Sequence, residues 1–167
     1  MSFQSLQWLF PIAVTLHNGE EALWFPDWSR KAARWPAPVQ PGVFRFAVVV
    51  FTLLAFVVTW LSVRSGKQTL WTYLFFGYMA AVLANAFIPH IAVSAATRSY
   101  MPGVATATLV NFPVLSLMIW LAFKEEFVSG WKAAGYSSCV ACILLVSIPL
   151  LFKLGRVLKL DGRRPGT

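Results

Sequence analysis

Charged side chains are scarce in this 167-residue sequence. Asp, Glu, Lys and Arg make up 12% of the residues, whereas 58% are hydrophobic. A soluble domain ordinarily carries about 25% charged residues. The few charges also lie in short blocks, and long uncharged runs separate the blocks. An ordinary soluble domain is therefore excluded, and the sequence predicts an integral membrane protein.

Cysteines and processing signals are also nearly absent. Cys139 and Cys142 are the two cysteines, and both lie in one apolar run, so no disulfide framework is predicted. The amino terminus has no basic region and no small-residue cleavage site, and its apolar run is too long and too charged for a signal peptide. We therefore interpret that run as a mature span. No repeat, glycine-rich phosphate loop or low-complexity tract occurs, and residues 1–167 are predicted to form one transmembrane domain without a soluble module.

Five apolar runs predict an all-α bundle of five membrane-spanning helices. The predicted spans cover residues 6–25, 43–63, 69–97, 104–123 and 131–152, and a basic tail follows at 153–167. Pro26 and Asp27 are expected to end the first span, and Pro89 is expected to kink the third. Between the first two spans, tryptophans and cations from Trp28 to Pro36 predict an interfacial segment.

The distribution of cations predicts the orientation. With five spans, the first and third connections and the tail share one side and carry ten Lys and Arg residues, against four on the other side. The positive-inside rule then places the carboxyl terminus in the cytoplasm and the amino terminus outside, in a multi-pass protein of a bacterial inner membrane. The net charge of +8 is explained by this topology and by anionic lipids, so membrane lipids are expected partners and nucleic acid is not.

The first span contains charges that a membrane helix rarely carries. His17 is followed by Glu20 and Glu21 within the apolar run from Leu6 to Phe25. At 3.6 residues per turn, the two carboxylates flank the imidazole on one helical face. A charge at membrane depth costs about 2.5–3.5 kcal/mol on insertion scales, so these groups need partners. A nitrogen and two carboxylates are also a suitable ligand set for a divalent metal.

Two later spans carry polar residues at a similar depth. Counted from the charged boundaries at about 1.5 Å per residue, His17 lies roughly 15 Å deep, and His90 and Asn111 roughly 12 Å deep from the same side. Pro89 leaves the carbonyl of Asn85 without its helical donor and reorients His90. Unpaired backbone at this depth survives only against protein or in a wet cavity, so we predict a polar cavity here.

These motifs together resemble a known family. His17-Asn18-Gly19-Glu20-Glu21 matches the motif of the HxxEE membrane proteins of bacteria. Asn85, His90 and the turn Tyr100-Met101-Pro102-Gly103 fit the rest of that pattern, so the resemblance covers about residues 6–123. It implies a polytopic membrane metalloenzyme without a defined substrate.

The leading hypothesis is a membrane metalloenzyme, a hydrolase or an oxidoreductase. His17, His90 and one of Glu20 and Glu21 would bind a divalent ion, zinc or iron, and the other glutamate would act as a general base or bridge two ions. Asn85 is expected to assist catalysis by orienting a ligand. The depth of the site favours a lipid-soluble or amphipathic substrate.

Three alternatives remain open at this stage. A metal-free isomerase would use a buried glutamate as its acid–base group. A proton-coupled transporter would use the carboxylate and histidine groups as a proton relay, although no internal duplication supports it. A non-catalytic assembly or ligand-binding subunit would bind no metal. The sequence leaves the oligomeric state undefined.

Overall fold

The computed structural model describes residues 2–32 and 38–160. Every regular element in these two ranges is helical, and neither range contains a β-strand, so the predicted all-α class is confirmed. Predictions that concern Arg34, Trp35 and Pro36 of the interfacial segment, and residues 161–167 of the basic tail, lie outside the described residues.

Six helices make up the described chain. Their bounds are α1 Phe3–Leu6, α2 Leu9–Lys31, α3 Pro41–Ser65, α4 Leu70–Thr97, α5 Val104–Lys124 and α6 Gly130–Val157. Both α4 and α5 contain a π-helical turn, at Ala86–Ile91 and Ala107–Asn111 respectively. Each helix from α3 to α6 is long and apolar enough to cross a membrane. Large apolar side chains are also widely exposed on the bundle surface, as expected for a membrane protein.

Helix α2 continues beyond the predicted end of its apolar run. Pro26 and Asp27 were expected to end this segment, but the helix extends to Lys31. Pro26 has no amide hydrogen to offer the carbonyl of Ala22, four residues earlier. Nε of Arg45, on α3, donates to that carbonyl at 3.1 Å. The helix continues through Pro26 because a side chain from the neighbouring helix satisfies the freed acceptor, and the predicted end of the membrane span at Pro26 stays a prediction.

Hydrogen bonds show that α2 runs the length of the bundle. Before α2 begins, the amide of Phe3 donates to Oε1 of Glu125 at 3.0 Å, and Nε2 of Gln4 donates to the carbonyl of Val63 at 3.2 Å. These partners lie at the end of the bundle where α3 and α5 finish. Further along, Nδ2 of Asn18 donates to Oγ1 of Thr52 at 2.8 Å. Beyond this contact with the middle of α3, Glu20 accepts a hydrogen bond from the amide of Gly103, so α2 reaches the opposite end of the bundle, where α5 begins.

Two apolar clusters lie on either side of the polar residues of α2. The larger is rich in aromatic rings: Phe10 lies edge-on to Phe75 at 5.2 Å and to Tyr78 at 5.3 Å between ring centroids. The smaller includes Phe25, whose ring stacks on that of Phe44 at 5.0 Å. Along α2, His17, Glu20 and Glu21 lie between Phe10 and Phe25. The polar groups are therefore enclosed by well-packed protein.

Helices α4 and α6 approach closely at a glycine. A Cβ atom at Gly77, which is buried, would lie 3.0 Å from Cγ2 of Val140 and 3.1 Å from the carbonyl oxygen of Tyr136. Small residues at such points let the backbones of membrane helices approach, and the contact then stabilises the pair by van der Waals packing. One turn earlier, the rings of Tyr73 and Tyr136 stack at 5.0 Å.

We expect Gly77→Leu to lower the free energy of unfolding by about 1–3 kcal/mol, because the larger side chain overfills this contact. Gly135→Leu on α6 is the matched control, since a Cβ atom there has no neighbour within 4 Å. The measurement is the unfolding midpoint of detergent-purified protein. Equal midpoints for the two variants would show that the α4–α6 contact does not depend on Gly77.

Candidate metal centre

The polar residues of α2 face two different helices. Glu20 and Glu21 are consecutive, so their side chains diverge by about 100° around the helix axis. Glu20 points toward the start of α5, and Glu21 points toward the π-helical turn of α4. His17 lies one turn earlier, between the two directions. His17 and Glu20 are buried, at 3% and 6% exposed, whereas the Glu21 side chain is 15% exposed.

The Glu20 carboxylate accepts four hydrogen bonds. Its Oε1 accepts from the Tyr100 hydroxyl and from the amide of Gly103 at 2.7 Å. Its Oε2 accepts from the amide and hydroxyl of Thr106 at 2.9 and 2.6 Å. Gly103 and Thr106 supply amides that no helical carbonyl can pair at the first turn of α5. A negative charge is also favoured at a helix amino terminus, so Glu20 caps α5 from outside that helix.

Tyr100 connects this buried carboxylate to the surface. The residue lies in the turn between α4 and α5 and is 53% exposed, but its hydroxyl donates to Glu20. Partial burial, the hydrogen bond and the charge of Glu20 raise the pKa of Tyr100 to about 12. The phenol therefore remains a protonated donor throughout the physiological pH range.

Thr106 determines which nitrogen of His17 carries a proton. A carboxylate only accepts hydrogen bonds, so the Thr106 hydroxyl donates its single proton to Glu20. The same hydroxyl oxygen lies 3.0 Å from Nδ1 of His17 and must accept there. The proton of the neutral imidazole therefore lies on Nδ1, and the lone pair lies on Nε2. Beside Nε2, at 3.5 Å, is the side-chain amide nitrogen of Asn85.

The break in α4 brings His90 to the same place. On an ideal helix, Asn85 and His90 would point about 140° apart. The π-helical turn and the non-helical torsion angles of Ile88 (φ −128°, ψ 114°) change this direction. The His90 ring consequently lies edge-on to that of His17, with 4.7 Å between centroids, while Asn85 also contacts His17. Such π-helical turns occur frequently at functional sites.

His90 is buried but lacks hydrogen-bond partners. The residue is 1% exposed, and within residues 2–32 and 38–160 neither of its ring nitrogens has a partner at hydrogen-bonding geometry. Its Nε2 lies 3.2 Å from Oε1 of Glu21, which is close enough for an ion pair, but this contact does not have the geometry of a hydrogen bond. One donor atom each from His17, Glu21 and His90 lies within 4.8 Å of the other two. This arrangement can bind a cation.

Gly103 lets the turn before α5 lie against both imidazoles. Its φ of +96° is in the left-handed region, which favours glycine. A Cβ atom there would lie 2.4 Å from Cε1 of His90 and 3.0 Å from Cε1 of His17. Glycine alone both adopts this torsion angle readily and lacks the Cβ atom that would clash with the two imidazole rings. The glycine thus holds the start of α5, and with it Thr106, against the histidines.

The structure brings most of the predicted site residues together. His17, Glu21 and His90 form the cluster, Asn85 borders it, and Glu20 is directed toward α5. Asn111 lies on α5, at the end of the π-helical turn that follows Thr106. It is fully buried, and its side-chain amide atoms have no hydrogen-bond partner in the described part of the chain. Thr106, which links Glu20 to His17, was not among the predicted site residues. The sequence does contain one signal for this role: Thr106 is three residues after Gly103, in the first helical turn of α5, where backbone amides lack a helical partner.

Together these features define a class: a helical protein with four helices, among the described residues, that are long and apolar enough to cross a membrane, and with a His–Glu–His cluster in which both histidines are buried. The chain belongs to the family described as "Protein of unknown function with HXXEE motif", which matches residues 8–118. It is also similar to "Uncharacterized protein YrkK" of Bacillus subtilis (strain 168), with 37% identity over 147 residues that cover 87% of this chain and 92% of the relative. No solved structure matches the chain. The family predicted from the motifs is confirmed.

We expect Thr106→Val to destabilise the protein by about 1–3 kcal/mol, because the change leaves buried polar groups of Glu20 and His17 short of a partner. Thr106→Ser retains the hydroxyl and is the control. Chemical unfolding of the detergent-purified variants measures the difference. If Thr106→Val were as stable as Thr106→Ser, the hydroxyl would not link Glu20 to His17.

Proposed function

We propose that this protein is a membrane-embedded, metal-dependent enzyme that acts on a lipid-soluble or amphipathic substrate. The supporting observation is the group of two buried histidines, His17 and His90, and the partly buried Glu21, whose donor atoms lie within 4.8 Å of one another. A buried histidine without hydrogen bonds needs a physical explanation, and a bound ion provides one. Ionisable residues at membrane depth also favour function over a purely structural role.

The donor atoms fit a divalent ion. Ligands about 2.0–2.2 Å from a tetrahedral ion lie roughly 3.4 Å apart. His90 and Glu21 approach to 3.2 Å, and a donor atom of His17 lies within 4.8 Å of both, so His17 would move closer when an ion binds. Two imidazoles and one carboxylate suit zinc or non-haem iron. We therefore assign His17, Glu21 and His90 as the ligands.

Glu20 and Thr106 would hold His17 in the correct form for binding. Nδ1 of His17 donates to Thr106, which donates to Glu20, so Nε2 keeps its lone pair for the ion. Histidine ligands in metalloproteins commonly donate their second nitrogen to such a partner, and this contact raises ligand basicity. In this proposal Glu20 positions His17 through Thr106 and does not bind the ion itself. The sequence alone does not distinguish this role from that of Glu21.

The remaining groups would handle the substrate. When bound, zinc supplies Lewis-acid polarisation for hydrolysis, and iron supplies oxidation chemistry. The second oxygen of Glu21 would accept a proton beside the reacting bond, and the Asn85 amide would orient a polar substrate group next to His17. The tightly packed surroundings, including Gly103, would limit the access of bulk water to the site.

Metal content is the direct test. We expect detergent-purified protein without a histidine tag to carry about one zinc or iron ion per chain by elemental mass spectrometry. His17→Ala, Glu21→Gln and His90→Ala should each lower occupancy at limiting metal by at least about tenfold. Glu20→Gln should reduce affinity less, because Glu20 acts through Thr106 and His17.

Glu126→Gln is the matched control, since Glu126 is an exposed glutamate at the other end of the bundle. Sub-stoichiometric metal in the wild type that His17→Ala leaves unchanged would contradict the metalloenzyme. That result would favour the metal-free isomerase, in which Glu21, 3.2 Å from His90, would act as the acid–base group. Proton or solute flux in proteoliposomes, lost in Glu21→Gln, would instead indicate transport.

We also propose that α2 is a fifth span, with the amino terminus outside and the carboxyl terminus in the cytoplasm of a bacterial inner membrane. Helix α2 has 23 residues, or about 35 Å of helix. The segment from Phe3, in α1, to Glu20, in the middle of α2, connects opposite ends of the bundle, because Phe3 contacts Glu125 just after α5 ends and Glu20 contacts Gly103 just before α5 begins. The cation bias described above supports the orientation.

The side of the membrane on which the amino terminus lies distinguishes five spans from four. The connections after α3 lie on the same sides of the membrane in both topologies. We expect an epitope at the amino terminus to be cleaved by protease added to intact spheroplasts, while an epitope at the carboxyl terminus is protected. A protected amino-terminal epitope, with the carboxyl-terminal epitope also protected, would mean that α2 does not cross the membrane.

A further inference from the structure

A surface cleft lies next to the candidate metal centre. It has a volume of about 480 Å³. Its lining consists of Trp24, Asp27, Trp28, Lys31, Tyr100 and Pro102. On α2, Trp24 follows Glu20 by four residues and Glu21 by three, so the cleft continues the helical face that carries the cluster. Tyr100 belongs to both places, because its ring lines the cleft and its hydroxyl donates to Glu20.

The charges in the cleft favour an anionic ligand. Asp27 is paired with Arg30, which lies on the same turn of α2, so its carboxylate is already neutralised. Lys31 is exposed and forms no ion pair with any residue in the described ranges. The cleft therefore offers one uncompensated ammonium group. A phosphate group is the anion that such a cation most often meets at a membrane surface.

The aromatic lining favours a ligand that also has an apolar part. Trp24 is 55% exposed, and indole rings of this kind prefer the boundary between headgroups and acyl chains. Leu23, which precedes Trp24 in the sequence, is 63% exposed, so a second large apolar side chain lies at the surface next to a residue that lines the cleft. A bound lipid could extend its chains along this surface while its headgroup contacts Lys31.

We infer that this cleft binds the phosphate headgroup of an amphipathic lipid, with Lys31 as the phosphate contact and Trp24 beside the start of the acyl chains. This inference rests on the proposed function, because it identifies the substrate class that the metal centre would act on. The ligand would lie against Tyr100 and Pro102, one turn from Glu21, where a bond near the headgroup is closest to the cluster.

Three probes separate the parts of such a ligand. Dioctanoyl phosphatidate has both phosphate and acyl chains, inorganic phosphate has only the anion, and dioctanoylglycerol has only the chains. We expect detergent-purified protein to bind dioctanoyl phosphatidate saturably by calorimetry, and the other two at least about tenfold more weakly. Equal binding of dioctanoylglycerol would overturn phosphate recognition, and equal binding of inorganic phosphate would overturn recognition of a lipid.

Variants test the cleft itself. Lys31→Ala should raise the dissociation constant of dioctanoyl phosphatidate by about tenfold, because it removes a charge-assisted hydrogen bond. Lys132→Ala is the matched control: Lys132 and Trp131 line a second, smaller cleft of about 200 Å³ on α6, with a tyrosine also present. Equal affinities for the two variants would overturn the assignment.

Metal content keeps this inference separate from the proposed function. Lys31→Ala should retain the metal of the wild type, since Lys31 is more than two helical turns from Glu21. A protein that binds metal but discriminates none of the three probes contradicts the lipid site alone. A protein that binds dioctanoyl phosphatidate through Lys31, before and after chelation, but never carries metal contradicts the metalloenzyme alone.

Discussion

The hydrogen bonds around the Glu20 carboxylate are the interaction on which this site depends. A buried carboxylate is tolerated only when its oxygens are fully paired, and here two amides and two hydroxyls pair them. The same bonds complete the first turn of α5 and fix the distance between α2 and α5. Because Thr106 is one of the donors, they also orient His17. One charged group thus links helix capping, helix packing and the chemistry of an imidazole.

Much of this arrangement could be predicted from the sequence. Charges within an apolar run identify the polar face of α2, and Pro89 identifies the place where α4 breaks. The different roles of Glu20 and Glu21 could not be predicted. Consecutive residues on a helix face directions about 100° apart, and which neighbour lies in each direction depends on the tertiary arrangement. Thr106 was missed for the same reason, since its partners come from a helix about 85 residues earlier.

The π-helical turns of α4 and α5 lie beside the cluster. In α4 the turn carries His90, and in α5 it follows Thr106 directly. Each turn adds a residue to the helical repeat and rotates the side chains beyond it. Regular helices would present a different set of residues to α2. The irregular segments therefore determine which polar groups meet, while the regular parts of the same helices supply the packed core.

The contact between Arg45 and the carbonyl of Ala22 changes the usual meaning of a proline inside a helix. Pro26 removes one intrahelical bond, but the acceptor it frees receives a guanidinium from the adjacent helix. Pro26 therefore allows a hydrogen bond between α2 and α3, and helix α2 nevertheless continues beyond it. Positions 26 and 45 are consequently coupled: replacing the proline alone would return the carbonyl of Ala22 to its own helix and leave the guanidinium of Arg45 without this acceptor.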